Sequence, residues 1–179
     1  MAERAHTQIH GNAENQYATR EDFRKILDEG LNRLYQLSFL LTADHRKAER
    51  CFVASIEDCT AECRVFREWA RPWTKRVVVE NAIRELKPRP TRSNSCSRPS
   101  LRNQQPSSPT GHFISDALLR LEDFERFVFV LRVLESYKEN DCTLLLGCSA
   151  FQVREAWTRA IQTLASVDQL LSSTNSVRR

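Results

Sequence analysis

A chain of 179 residues with a net charge of +4 has room for one ordinary domain or two small ones, and nothing in its charge forces a nucleic-acid partner. Only 4 glycines, 8% aromatic residues and few β-branched runs favour helices over sheet. No run of 18 apolar residues exists and residues 1–20 lack the apolar core of a signal peptide, which predicts no membrane span, a cytoplasmic protein and reduced cysteines.

Residues 1–18 are polar and aperiodic, and predict a disordered tail. His6 and His10 stand four apart with no third ligand near, so no metal site is expected there. Thr19 and Asp22 have capping-box spacing and open a helix with the stripe Phe23, Ile26, Leu27, Leu31, Leu34, Leu37 and Leu41. That helix ends near Thr42, and Asp44 is placed to cap the next. The second helix sets Ala48, Cys51, Phe52, Ser55, Ile56 and Cys59 on one face and is expected to run toward residue 70. Cys59 and Cys63 lie one turn apart, and burial as small apolar groups is the expectation for them rather than metal ligation.

Pro72 then suits the first position of a third helix. Trp73, Val77, Ala82, Ile83 and Leu86 form its predicted apolar face, with Lys75, Arg76, Asn81 and Arg84 toward water. The run Val77 to Val79 also fits a short strand. From 87 to 111 the composition changes. Five of the six prolines lie there, with Lys87, Arg89, Arg92, Arg98 and Arg102 and no acid, which predicts a flexible Pro/Ser/Arg-rich linker. The excess positive charge sits in this stretch, while residues 21–86 balance and residues 112–179 nearly do.

Beyond the linker, Leu118, Leu121, Phe124, Phe127, Val128, Leu131 and Leu134 recur at helical spacing. A short helix is expected over 136–146, opened by Ser136 and Glu139 as a capping box and closed by Gly147. Ser149 and Gln152 repeat the box ahead of a third helix, whose predicted buried side is Val153, Trp157, Ile161 and Leu164. Two helices across a Gly-containing turn with a third behind them outline a helix-turn-helix.

The segment from Val128 to Leu164 resembles region four of the extracytoplasmic-function sigma factors of bacterial RNA polymerase. Arg126, Val128, Phe129, Leu131, Arg132, Leu134 and Glu135 match the start of that module, Leu145 to Ser149 its turn, and Arg159, Ala160 and Leu164 its end. Leu31 to Glu49 is similar to region two of the same family, as are Trp73 and the Asn81-Ala82-Ile83 step. The chain departs from the family after Glu49. There Arg50-Cys51-Phe52-Val53-Ala54-Ser55-Ile56 replaces D-L-V-Q-E-x-F, so a basic residue and apolar ones stand where polar groups face the polymerase clamp.

The resemblance implies an all-α protein of two small helical domains. Along the chain come a tail (1–18), a region-two-like bundle (19–86), the linker (87–111), a region-four-like helix-turn-helix (112–166) and a terminal tail (167–179). It implies transcription initiation: binding to core RNA polymerase through Arg50, Val53 and Ala54, and recognition of promoter DNA through Gln152, Arg154, Glu155, Thr158 and Arg159, with Lys75 and Arg76. Gln, Arg and Glu each have a base partner in a major groove, although an ordinary solvated helix face reads the same. Phe66, Trp69 and Trp73 either stack bases or are buried. An anti-sigma factor is a further partner the family brings with it. The alternative is a sigma-derived DNA-binding regulator or protein-interaction adaptor that has lost initiation. No Gly-rich phosphate loop, C-x-x-C or H-E-x-x-H occurs, so neither catalysis nor a cofactor or metal is expected.

Overall fold

A computed structural model describes residues 16–61, 64–90 and 117–176, and is predominantly helical. The chain divides into two compact units at the Glu85/Leu86 boundary. Among the described residues, no helix is long and apolar enough to cross a membrane. The expectations for residues 1–15 and for most of the linker, 91–111, lie outside the described residues.

In the first unit α1 spans Arg20–Thr42 and α2 His45–Thr60, and the two pack along their length. The capping box at Thr19 and Asp22 is formed, with the Asp22 backbone N–H donating to Thr19 Oγ1 at 3.2 Å and Thr19 N–H to Asp22 Oδ2 at 2.8 Å. Phe23, Leu27, Leu34, Leu37 and Leu41 are buried as the stripe requires, each contributing roughly 1.5–3 kcal/mol. Leu31 departs from the stripe and is exposed. Between the helices Ala43 adopts φ 52°, a left-handed conformation that suits glycine. Asp44 caps α2 by accepting from Lys47 N–H at 3.0 Å.

α2 stops at Thr60, well short of residue 70, and a 3₁₀ turn over Arg67–Trp69 leads into α3, Ala70–Leu86. Pro72 therefore sits inside the first turn of α3 rather than at its first position. Its missing N–H is still one of the donors that a helix start leaves unpaired. Val77, Val78 and Val79 are helical, which excludes the strand reading, and all three are buried.

Asn81, expected to face water, is buried instead. Its amide donates to Ser55 Oγ at 3.2 Å, Asp58 Oδ2 at 3.0 Å and Val77 O at 3.1 Å, and its carbonyl accepts from Arg84 at 3.0 Å. Burial is possible because every polar atom has a partner, and the bonds to Ser55 and Asp58 tie α3 to α2. Residues 16–18, counted with the tail, are not aperiodic. They pair antiparallel with Val65–Arg67.

The second unit contains α4 (Asp123–Phe129), α5 (Glu139–Leu146) and α6 (Ala150–Ser176). The apolar spacing from Leu118 predicts one helix. The chain instead breaks after 117–119, restarts at Asp123, and widens into a π turn over Val130–Leu134. The π turn adds a residue to the helical phase, so Leu134 is exposed although Leu131 is fully buried. α4 is buried all round, Phe124 to Phe129 without exception, including Arg126. Burial pushes the Arg126 guanidinium down from the usual arginine range, opposed by Asp123, and the group is kept satisfied by the Leu121 carbonyl at 2.8 Å and the Asp123 carboxylate.

α5 begins at Glu139, not Ser136, which takes φ 57° in the preceding turn. The Lys138 N–H donates to Asp141 Oδ2 at 3.2 Å, so the capping is shifted two residues along. α6 runs to Ser176, beyond the expected boundary at 166.

Two outcomes are expected from the helix ends of the first unit. Asp22→Asn lowers stability by about 1 kcal/mol at neutral pH in urea unfolding. The Asp22 carboxyl is held below its usual range by the Thr19 N–H first, then by the Thr19 hydroxyl and Arg67. Its contribution is therefore complete above the unfolded-state value of about 3.9 and disappears as pH falls through the lower folded value, closing the gap between wild type and variant. Ala43→Gly relieves the left-handed penalty and raises stability by roughly 0.5–1 kcal/mol, after the extra chain entropy of glycine is subtracted.

Candidate nucleic-acid interface

The turn between α5 and α6 is built from two local devices. Gly147 at φ 61°, ψ 40° closes α5, with the Cys148 N–H donating to Thr143 O at 3.1 Å. Ser149 and Gln152 then form the expected capping box. Ser149 N–H donates to Gln152 Oε1 at 2.9 Å, and Gln152 N–H to Ser149 Oγ at 3.3 Å. Both ends of the turn are thus fixed by the sequence itself.

The buried side of α6 is Val153, Ala156 and Ala160. Trp157 is only half-buried and Ile161 is exposed, so the helix is rotated from the predicted face. Alanine at two contact positions lets α6 approach α4 and α5 closely, and a large side chain there would hold it off. Trp157 lies beside this contact, stacked on Phe129 with centroids 5.7 Å apart and covered by the Arg132 guanidinium at 4.6 Å.

The rotation sorts the five predicted groove residues. Arg154 and Thr158 are exposed, while Gln152, Glu155 and Arg159 are half-buried. Thr158 Oγ1 donates back to Arg154 O at 2.9 Å. Gln152 spends its side-chain oxygen on the cap and keeps its amide nitrogen. Arg154 reaches Glu139 on α5 at 2.7 Å. Arg159 is inward-facing, bonded to the buried Glu125 of α4 at 2.7 Å and to Glu155 at 2.8 Å. Arg159 therefore acts as a strut between α6 and α4, a role that the i, i+4 pattern on one helix does not reveal.

In the first unit the segment 64–76 carries Arg64, Arg67, Arg71, Lys75 and Arg76 against the single acid Glu68. All six are exposed. This charge cluster is hidden when residues 21–86 are summed as a balanced block. Between its cations stand two exposed rings, Phe66 at 46% and Trp69 at 62%, whereas Trp73 packs against Phe23 at 5.4 Å. Arg67 donates to Asp22 at 3.1 Å, Arg71 to Glu29, and Arg76 to Glu80 at 2.9 Å. These pairs are solvent-exposed and worth little, so a phosphate can displace the acids at small cost.

The residues expected to meet polymerase lie on α2. Arg50 is bound to Glu85 of α3, Val53 is exposed, and Ala54 is half-buried. Beside Val53 an open groove between α1 and α2 is floored by Leu27, Leu31, Phe52 and Ile56 and rimmed by Arg20, Arg24, Glu21 and Asp28. Cys51, Cys142 and Cys148 are free thiols. Burial pushes the Cys51 and Cys142 thiols up to about 11, so they are neutral at physiological pH and poor nucleophiles or ligands. Cys63 lies outside the described residues. Among the described residues no group of three or more His, Cys, Asp or Glu could hold a metal ion. No protein-family model matches the chain, and no curated protein matches it in sequence.

The two arginines of α6 are expected to separate in a stability measurement. Arg159→Ala leaves the buried Glu125 without its partner and lowers the unfolding free energy of the second unit by about 2 kcal/mol. Arg154→Ala breaks an exposed pair and changes it by less than about 0.5 kcal/mol. Equal effects in chemical denaturation would contradict the strut assignment.

Proposed function

We propose that this chain is a sigma-factor-like transcription initiation protein that binds core RNA polymerase and recognises promoter DNA through a helix-turn-helix. The observation that carries the reading is the α5–α6 turn, with its left-handed Gly147 and the Ser149–Gln152 cap, presenting Arg154, Thr158 and the Gln152 amide at the start of α6. In a groove-docked helix the first turns meet the base edges, where Arg pairs with guanine and a free amide nitrogen can donate to a base acceptor. The exposed basic and aromatic segment 64–76 supports the reading from the other unit, because phosphates need cations and unpaired bases need rings.

A sigma-derived DNA-binding regulator or protein-interaction adaptor is the second reading. It is favoured by Leu144 and Phe151, exposed at 81% and 67% on α5 and α6, and by the pairing of Arg50 with Glu85 on the α2 surface. Large apolar side chains left open on both helices of the turn suit a protein partner better than a phosphate backbone.

Co-elution of the purified chain with core RNA polymerase at two salt concentrations separates the two. The wild type is expected to bind weakly. Restoring an acid at Arg50 alone would face it against Glu85, so the charge-swapped Arg50→Asp/Glu85→Arg variant carrying Val53→Gln is the suitable comparison. Tighter co-elution of this variant supports docking through α2. Failure of both proteins to co-elute, with helical content intact, leaves the regulator or adaptor reading.

A further inference from the structure

We infer that Tyr17, on the segment ahead of α1, is a positioning residue that holds Phe66, close in sequence to the exposed Trp69, in a stacking platform for single-stranded nucleic acid. The inference rests on the DNA-binding reading of the first unit. Gln16–Ala18 is joined to Val65–Arg67 by two backbone bonds, Ala18 N–H to Val65 O at 2.7 Å and Arg67 N–H to Gln16 O at 2.8 Å. Across this bridge the Tyr17 and Phe66 rings stack with centroids 4.9 Å apart and planes 19° apart. The Arg64 guanidinium lies over the Tyr17 ring at 5.8 Å. Arg67 closes the assembly by donating to Asp22, the carboxylate that caps α1.

The consequence is a ladder of cation, ring and ring whose last member, Phe66, is still nearly half open to solvent. Phe66 cannot swing away without breaking the Tyr17 stack, and its backbone neighbours are pinned on either side. Trp69 ends the 3₁₀ turn that follows Phe66, its Nε1–H donating to the exposed Glu68 at 2.8 Å. A base paired and stacked within a duplex has no free face for such a ring, so an unpaired base is the fitting occupant. The exposed cations Arg64, Arg71, Lys75 and Arg76 around the rings supply the charge that a phosphate chain requires. Pre-fixing the rings removes rotamer entropy that each would otherwise lose on stacking.

The test is fluorescence anisotropy of a labelled single-stranded thymidine oligonucleotide with the full chain at two salt concentrations. Tyr17→Ala is expected to raise Kd about fivefold or more, within the range for loss of one base–ring stack. Tyr17→Phe keeps the ring and is expected to bind like the wild type. The salt dependence of Tyr17→Ala should match that of the wild type, because no phosphate contact is removed; a loop that simply detached would flatten it. Should Tyr17→Ala melt early, Tyr17→Leu keeps bulk without a ring and is expected to show the same loss. Wild-type affinity in Tyr17→Ala or Tyr17→Leu overturns the inference, and with Phe66→Ala or Trp69→Ala still weakened the DNA-binding reading survives. Tighter binding by Tyr17→Ala also overturns it, since the ring would then be occupying the place of a base. If neither Phe66→Ala nor Trp69→Ala weakens binding, the reading of this segment falls and the inference with it.

Discussion

Helix ends leave backbone donors and acceptors that must find partners, and this requirement governs the protein more than any single apolar contact. Within each unit the helices are joined by short connections, and those connections carry the candidate chemistry. Asp22 shows the economy of the solution. One carboxylate takes the Thr19 N–H and hydroxyl at the start of α1 and also receives Arg67 from the segment before α3. A local cap thereby becomes a long-range tie, and the ordering of an exposed basic segment is linked to the start of a helix far from it in sequence. The Ser149–Gln152 cap does comparable work in the second unit, where it fixes the angle at which α6 leaves the turn.

Charge is organised by the same logic. Arg50, Arg71, Arg76, Arg84, Arg154 and Arg159 each face an acid of this chain. Of these pairs, the Arg159–Glu125 bond reaches a buried carboxylate, and it belongs to the packing of α4 on α6. The others lie at the surface, where water and salt weaken them and a competing anion can take over the arginine. A first unit that balances by summation over residues 21–86 therefore keeps a reserve of cations, concentrated in the segment 64–76. Its affinity for a polyanion should depend steeply on ionic strength, and long-range attraction should be modest.

Much of the helical architecture was legible in the residue order. Thr19, Asp44, Gly147 and the Ser149–Gln152 pair announce helix ends through local chemistry, and the Phe23-to-Leu41 stripe announces a buried face through its period. The misses have a common cause. Asn81, Arg159 and Tyr17 owe their positions to partners distant in sequence: Asp58 and Ser55, Glu125, and Phe66. Periodicity assigns a polar residue to water by default, and has no means of recognising a polar residue whose bonds are all satisfied inside. The rotated face of α6 has a different origin. Ala156 and Ala160 are weak hydrophobic signals beside Trp157 and Ile161, yet close packing selects the small side chains. Of the candidate site, the turn was readable and the sorting of its arginines was not.

The π turn over Val130–Leu134 has a consequence for how this chain can change over time. A π turn is an α-helix with one residue too many, held by bonds such as Glu135 N–H to Val130 O at 3.1 Å. Removing one residue from it would restore the ordinary helix and turn everything that follows by about 100° relative to α4. The Arg132–Trp157 and Phe129–Trp157 contacts would be lost, and with them the Arg159–Glu125 bond that ties α6 to α4. Because Ala156, Ala160 and Arg159 pack α6 against α4, such a deletion would set helix phase against that packing, so the length of this segment is held fixed by the helix that follows it.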